Sequence, residues 1–227
     1  MVVYLVCGIA ALAGLLFGFD TGIISGALLF IEKGFALSTV MKELIVSSVL
    51  VGAMAGSLCS GWLTDRYGRK RVILVISGLF IMGTLIASLA PNVQAILIGR
   101  LFIGVAIGIG SYTAPLYIAE VAPLHLRGGL VSFNQLAITI GIMCSYFINY
   151  LFTNTQASWR WMFLIGLLPA VLLFLGMFFL PESPRWLVKQ KKVHQAKNTL
   201  HFLRHRGNID HEIAAIEKGL TVREASF

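Results

Sequence analysis

Six stretches of this sequence are long and apolar enough to cross a lipid bilayer, and that pattern dictates most of the fold. The hydrocarbon layer is about 30 Å thick and a helix rises about 1.5 Å per residue, so about 20 mostly apolar residues span it. Segments 3–30, 44–64, 71–90, 94–119, 129–152 and 160–180 meet that requirement. Lipid offers no hydrogen-bond partner to the backbone, so each is predicted to be a helix that satisfies its own N–H and C=O groups. The first block is too long for a cleaved signal and contains Asp20, so it reads as a helix that stays in the membrane. Composition agrees: 57% of residues are hydrophobic and only 12% are charged, against about half and about a quarter in a soluble domain. The predicted fold class is therefore an all-α membrane protein of six transmembrane helices.

The formal charge of +8 invites a nucleic-acid partner, but its distribution argues against one. Fourteen of the 18 Lys and Arg residues lie in the second connection (65–71), the fourth (122–128) and the C-terminal tail. Lys33, Lys42 and Arg160 lie on the other side. The positive-inside rule then places both termini in the cytoplasm. Beyond Pro181 the chain turns polar and basic. Residues 185–206 and 209–220 read as short amphipathic helices on the cytoplasmic face, broken at Gly207-Asn208. The expected division is a bundle over 1–182 and a cytoplasmic helical segment over 183–227, stopping before a seventh membrane helix.

Two charges sit where lipid should be. Asp20 and Arg100 lie at comparable depths from the same side, roughly 15 and 9 Å in at the helical rise. Unpaired, each would cost several kcal/mol, so they are expected to face the bundle interior and to interact. The pair is either a structural ion pair or a proton switch in which protonation of Asp20 releases Arg100. In the fifth segment Gln135, Ile138 and Ile142 share one helical face. An amide offers donors and an acceptor to a polyhydroxylated ligand, and equally well glues helices together.

On the cytoplasmic side, Asp65, Arg66, Arg69, Glu120, Arg127, Glu182 and Arg185 cluster at helix ends. The basic members serve topology, whereas the acidic ones are not required by it. Asp65 and Glu120 are expected to pair with Arg69 and Arg127. Gly52/Gly56 and Gly104/Gly108 mark close helix contacts, and Pro115 a kink. Trp62, Trp159, Trp161 and Trp186 read as an interfacial belt. Cys7, Cys59 and Cys144 read as buried inert thiols, their spacing fitting neither a zinc site nor a disulfide framework. Nothing resembles a catalytic constellation or an ion-channel filter.

Several strings together resemble the N-terminal half of the sugar porter family of the major facilitator superfamily. They are Gly18-Phe19-Asp20-Thr21-Gly22, the run from Gly61 to Lys70, Tyr117-Ile118-Ala119-Glu120 with Arg127-Gly128, Ser132-Phe133-Asn134-Gln135, Trp159-Arg160-Trp161-Met162-Phe163, and Pro181-Glu182-Ser183-Pro184-Arg185-Trp186-Leu187. They cover about residues 1–220. That family includes bacterial xylose–, arabinose– and galactose–proton symporters and the facilitative glucose carriers of animals.

The resemblance implies that Asp20 is the protonated carboxylate, with Arg100 its partner. It implies that Phe17, Gln135 and Ile138 contact the sugar. It also implies that Asp65, Arg66, Arg69, Glu120, Arg127, Glu182 and Arg185 form a charge network stabilising the outward-facing state. The expectation is a non-enzymatic carrier in the plasma (inner) membrane that moves a pentose or hexose by proton symport. It needs no cofactor beyond the coupling proton, and its partners are the monosaccharide, membrane lipid and a C-terminal six-helix half, supplied in trans or missing by truncation. The alternatives are a facilitative uniporter fragment, a homo-oligomeric half-transporter and a non-transporting sugar-binding protein.

Overall fold

The computed structural model describes residues 2–153, 158–204 and 209–224, and every regular element among them is helical. The order is α1 (Val2–Phe35), α2 (Thr39–Tyr67), α3 (Arg69–Ser88), α4 (Val93–Val121), α5 (Arg127–Phe152), α6 (Ser158–Ile165), α7 (Leu167–Phe179), α8 (Pro184–Lys189), α9 (Val193–Leu203) and α10 (Ile209–Glu224). Helices α1 to α5 are each long and apolar enough to span a membrane, as is Trp159–Phe179, which combines α6 and α7. The chain is thus a six-span membrane bundle followed by shorter helices.

The sixth span departs from a single uninterrupted helix. Pro169 has no N–H to give Ile165, and its ring crowds that carbonyl. The helix breaks there, and the Gly166 N–H donates instead to the Phe163 carbonyl at 2.9 Å. In the tail, the continuous helix expected over 185–206 is interrupted at Lys191, which takes a φ of 59°. Its N–H donates to the Val188 carbonyl, and that of Lys192 to the Leu187 carbonyl, both at 2.9 Å. This pairing is the Schellman termination, usually signalled by glycine. The expected break at Gly207-Asn208 lies outside the described residues.

Helices α1 and α4 form the centre. The first packs against α4, α5, α6 and α7, the second against α1, α2, α3 and α5. Ile73, Ile103, Tyr117, Leu173 and Met177 fill the core toward the α8–α10 end, while Ile23, Ile31, Ile45, Ile96 and Met162 fill the other. The two glycine steps read from sequence sit at the α2–α4 contact, Gly52 against the Leu101 carbonyl and Gly104 against the Val49 carbonyl. A second series was not read. Gly14, Gly18, Gly22 and Gly26, four residues apart on α1, meet Asn134, Ile138, Ser145 and Asn149 of α5.

A Cβ on Gly18 would fall within the Ile138 backbone carbonyl, and backbone yields little. Gly18→Ala is therefore expected to destabilise the bundle by about 1–3 kcal/mol, measured as a lowered thermal midpoint in detergent. Gly8→Ala, where a Cβ meets nothing within 4 Å, should change stability by less than about 0.5 kcal/mol.

Two further expectations are revised. Trp186 and Trp159 are buried, leaving Trp62 and Trp161 exposed. The Trp186 indole N–H donates to the Asp65 carbonyl at 2.8 Å, and Trp159 meets Phe35 at a tilt and Phe163 edge-on. Of the thiols, Cys7 is buried and Cys144 half-buried, but Cys59 is exposed. It lies on the same helix as exposed Leu50, Met54 and Leu58.

Candidate functional site

Asp20 on α1 and Arg100 on α4 are almost fully enclosed, with 3% and 2% of their surface exposed. The guanidinium meets the carboxylate in parallel, Nη1 donating to Oδ1 at 3.2 Å and Nη2 to Oδ2 at 3.4 Å. Arg100 Nε donates to the Ile45 carbonyl of α2 at 3.2 Å, and the Phe163 ring centre lies 5.9 Å from Cζ. One cation is thereby satisfied by α1, α2 and the sixth span. A proton on Asp20 would remove its countercharge, leaving Arg100 a carbonyl and an aromatic face.

This pair opens onto a cavity of about 550 Å³ between α1, α2 and α4, lined among others by Phe17, Asp20, Thr21, Val49, Arg100 and Ser111. Phe17 and Ser111 also line a second cleft of about 430 Å³, between α1, α4 and α5. The rest of its wall includes Pro115, Asn134, Gln135 and Ile138. Phe17, Gln135 and Ile138 therefore share one cleft, adjacent to the ion pair. Gln135 is exposed, and no hydrogen bond among the described residues ties its amide to a neighbour. Asn149 behaves as glue, its Nδ2 donating to the Gly22 carbonyl at 3.1 Å.

Two polar features of the second cleft, at Asn134 and Pro115, were not assigned to the site from sequence. Asn134 Oδ1 is buried without a hydrogen-bond partner among the described residues. Pro115 lacks the N–H that would meet the Ser111 carbonyl, so that acceptor loses its helical donor. A proline within an apolar span was the available signal for it.

The charged residues at the α8–α10 end divide into two groups. Arg69 is the hub, with Nη1 donating to Asp65 Oδ1 and to the Thr64 carbonyl at 3.1 Å, and Nη2 to Glu120 Oε1 at 2.9 Å. Its Nε lies 2.8 Å from Glu120 Oε2, and Ser183 Oγ donates to that oxygen. Glu182 Oε1 accepts the backbone N–H groups of Arg69, Lys70 and Ser183 at 2.8–3.0 Å. Burial pushes the Glu182 carboxyl up from its ordinary value, while these donors and the Arg69 charge pull it down.

Gly68 makes this junction possible. Its φ of 95° turns α2 into α3, and a Cβ there would also collide with the Glu182 carboxylate. Lys189 Nζ completes the cluster, 2.9 Å from Asp65 Oδ2. Ser183, Trp186 and Lys189 were not anticipated as its members. Conversely, Arg66 lies against the Trp62 and Tyr67 rings. Arg127 has a buried Nε without a hydrogen-bond partner among the described residues. Neither they nor Arg185 joins an ion pair among the described residues, so the expected Arg127 pairing is not made here. No group of three or more His, Cys, Asp or Glu among the described residues is placed to hold a metal.

Comparison with known proteins follows the same outline. The family model for "Sugar (and other) transporter" matches residues 6–225. The galactose–proton symporter of Escherichia coli K12 is 42% identical over 225 residues, covering 99% of this chain and 48% of that protein. A glucose transporter of Staphylococcus epidermidis is 41% identical over 224 residues, covering 99% and 50%. Among solved structures, the E. coli xylose transporter in a partially occluded, inward-open conformation superposes with a TM-score of 0.92 at 29% identity, over 99% of this chain and 61% of that one. The chain spans about half the length of the curated relatives it matches.

Proposed function

The chain belongs to the sugar transporter family, and from that premise we propose that it forms the N-terminal half of a carrier that moves a monosaccharide, a pentose or a hexose, across the plasma membrane together with a proton. The observation that carries the reading is the buried Asp20–Arg100 pair set beside the cleft lined by Phe17, Gln135 and Ile138. The family's work is transport, not catalysis. A carboxylate that titrates and an open amide able to donate and accept are the two chemistries a proton-coupled sugar carrier needs.

In this reading the Gln135 amide orients sugar hydroxyls while Phe17 and Ile138 pack the apolar ring face. Protonation of Asp20 cancels the charge that holds Arg100, loosening α1 from α4 and α2 at the depth of the pair. Arg69 with Asp65 and Glu120, and Glu182 on the α2–α3 junction, clamp the helix ends in one state and release them in the other. Alternating access then moves this bundle against a second one about a shared site. The proposed partner is a six-helix second half, in the same polypeptide or another. Helices α2 and α5 leave large apolar side chains such as Leu58 and Tyr150 exposed. Arg66, Arg127 and Arg185 are proposed to answer charges on that half.

The charge asymmetry supports cytoplasmic termini. The proposed division keeps the bundle at 1–182 and the basic helical segment at 183–227, docked to the bundle through Trp186 and Lys189 on Asp65.

The test is sugar affinity at Gln135. With the second half present, Gln135→Ala is expected to weaken D-glucose, D-xylose or D-galactose binding, whichever is strongest, by about tenfold. Equilibrium binding to the purified complex measures it. Unchanged affinity for all three would remove Gln135 from the site.

A further inference from the structure

A third cleft, of about 400 Å³, lies at the α8–α10 end of the outer seam between α3 and α7, away from both the ion pair and the Gln135 face. Its wall includes Lys70, Arg71, Phe178, Glu182, Trp186 and Lys192. Topology asks only that cations lie on one side of the membrane; it does not ask that three of them converge on a concavity. Here they come from two separate elements, the first turn of α3 and the turn that ends α8. Two of them have contacts that hold them there: Lys70 Nζ donates to the Phe178 carbonyl at 2.9 Å, and Lys192 Nζ stands 5.8 Å from the centre of the Trp186 ring.

The carboxylate in the wall does not offset them freely, since Glu182 Oε1 is taken by three backbone N–H groups. Toward the membrane the lining turns apolar through Leu74 and Phe178. On the same two helices Val75, Leu175 and Phe179 are also exposed, the last 80% so. Basic groups above an uncovered aromatic and aliphatic wall, at the end of two membrane spans, match the two ends of a phospholipid.

We propose that this cleft is a binding site for an anionic phospholipid. The headgroup phosphate lies among Lys70, Arg71 and Lys192, and the acyl chains run down the α3–α7 seam. An anionic headgroup is favoured over a zwitterionic one because a headgroup ammonium would face three cations. The site joins Lys192, just before α9, to the first turn of α3, so an occupied site fastens the tail segment to the bundle from its lipid side.

The experiment is native mass spectrometry of the purified chain in mild detergent, titrated with dioleoyl phosphatidylglycerol, dioleoyl phosphatidylcholine or inorganic phosphate. One phosphatidylglycerol is expected to bind in preference to phosphatidylcholine, and millimolar phosphate should not displace it. Lys192→Gln and, separately, Arg71→Gln should each weaken it about fivefold, the worth of one basic residue at an anionic surface. Lys191→Gln, adjacent in sequence, identical in charge and outside the cleft, should change it less than about twofold. Equal effects at Lys191 and Lys192 would reduce the proposal to diffuse attraction and overturn it. Equal retention of phosphatidylcholine would overturn it, and so would displacement by phosphate, which would mark a free-anion site.

Discussion

Asp20→Asn is expected to abolish sugar accumulation against a gradient while leaving sugar exchange intact. In the proposed symporter, one proton enters per sugar. A membrane potential of 100 mV then supplies about 2.3 kcal/mol per charge, enough to sustain a roughly 50-fold concentration ratio. Asparagine keeps the shape of the side chain and one acceptor for Arg100 but takes up no proton. The plateau ratio in vesicles should therefore fall from tens to about one, with counterflow of labelled sugar persisting. Accumulation that survives the substitution would place the coupling site elsewhere.

Arg100→Met carries the largest expected cost in stability. It leaves the Asp20 carboxylate, 3% exposed, without a countercharge and removes the donor to the Ile45 carbonyl. Breaking a buried pair from one side costs about 3–5 kcal/mol, because the stranded charge is the penalty. The double variant Asp20→Asn, Arg100→Met removes both charges and should recover most of that loss. Thermal unfolding of the two single variants and the double one yields the coupling, expected to exceed about 1 kcal/mol. A double variant as unstable as Arg100→Met alone would show that packing around the Arg100 stem dominates over charge.

The same physics explains what could be read in the sequence. Bilayer thickness imposes a length on every span, so the six crossings were visible without knowledge of their contacts. Lipid also penalises lone charges, so Asp20 and Arg100 had to be sought as partners; their meeting is geometry, whereas their role in proton coupling is the proposal. Helix ends were less legible. The break at Gly166 follows from Pro169, a visible signal three residues away that an apolar count ignores. The turn at Lys191 had no signal, since a lysine occupies the conformation that glycine normally announces. The α1 series from Gly14 to Gly26 was present at the same four-residue spacing as the steps that were read on α2 and α4.

Side-chain choices within the charged end were beyond sequence reasoning. Asp65, Arg69, Glu120 and Glu182 converge, but which arginine would serve as hub depended on the turn at Gly68, whose φ of 95° leads the chain from α2 into α3. Trp186 was assigned to the membrane interface because tryptophan often lies there; its N–H instead found the Asp65 carbonyl. Gln135 and Asn149 are both amides on α5, and only packing separates them, since Asn149 faces Gly22 of α1 while Gln135 opens into the cleft.

The central claim, that this bundle is half of a proton-coupled sugar carrier, is tested most directly by recording external pH in a lightly buffered suspension of proteoliposomes holding the chain with a six-helix second half. Adding sugar without an imposed gradient should make the medium more alkaline as protons enter with it, and Asp20→Asn should remove the pH change but not sugar entry. Sugar entry in the unaltered complex with no change in external pH would contradict symport, and no entry at all would contradict the carrier itself.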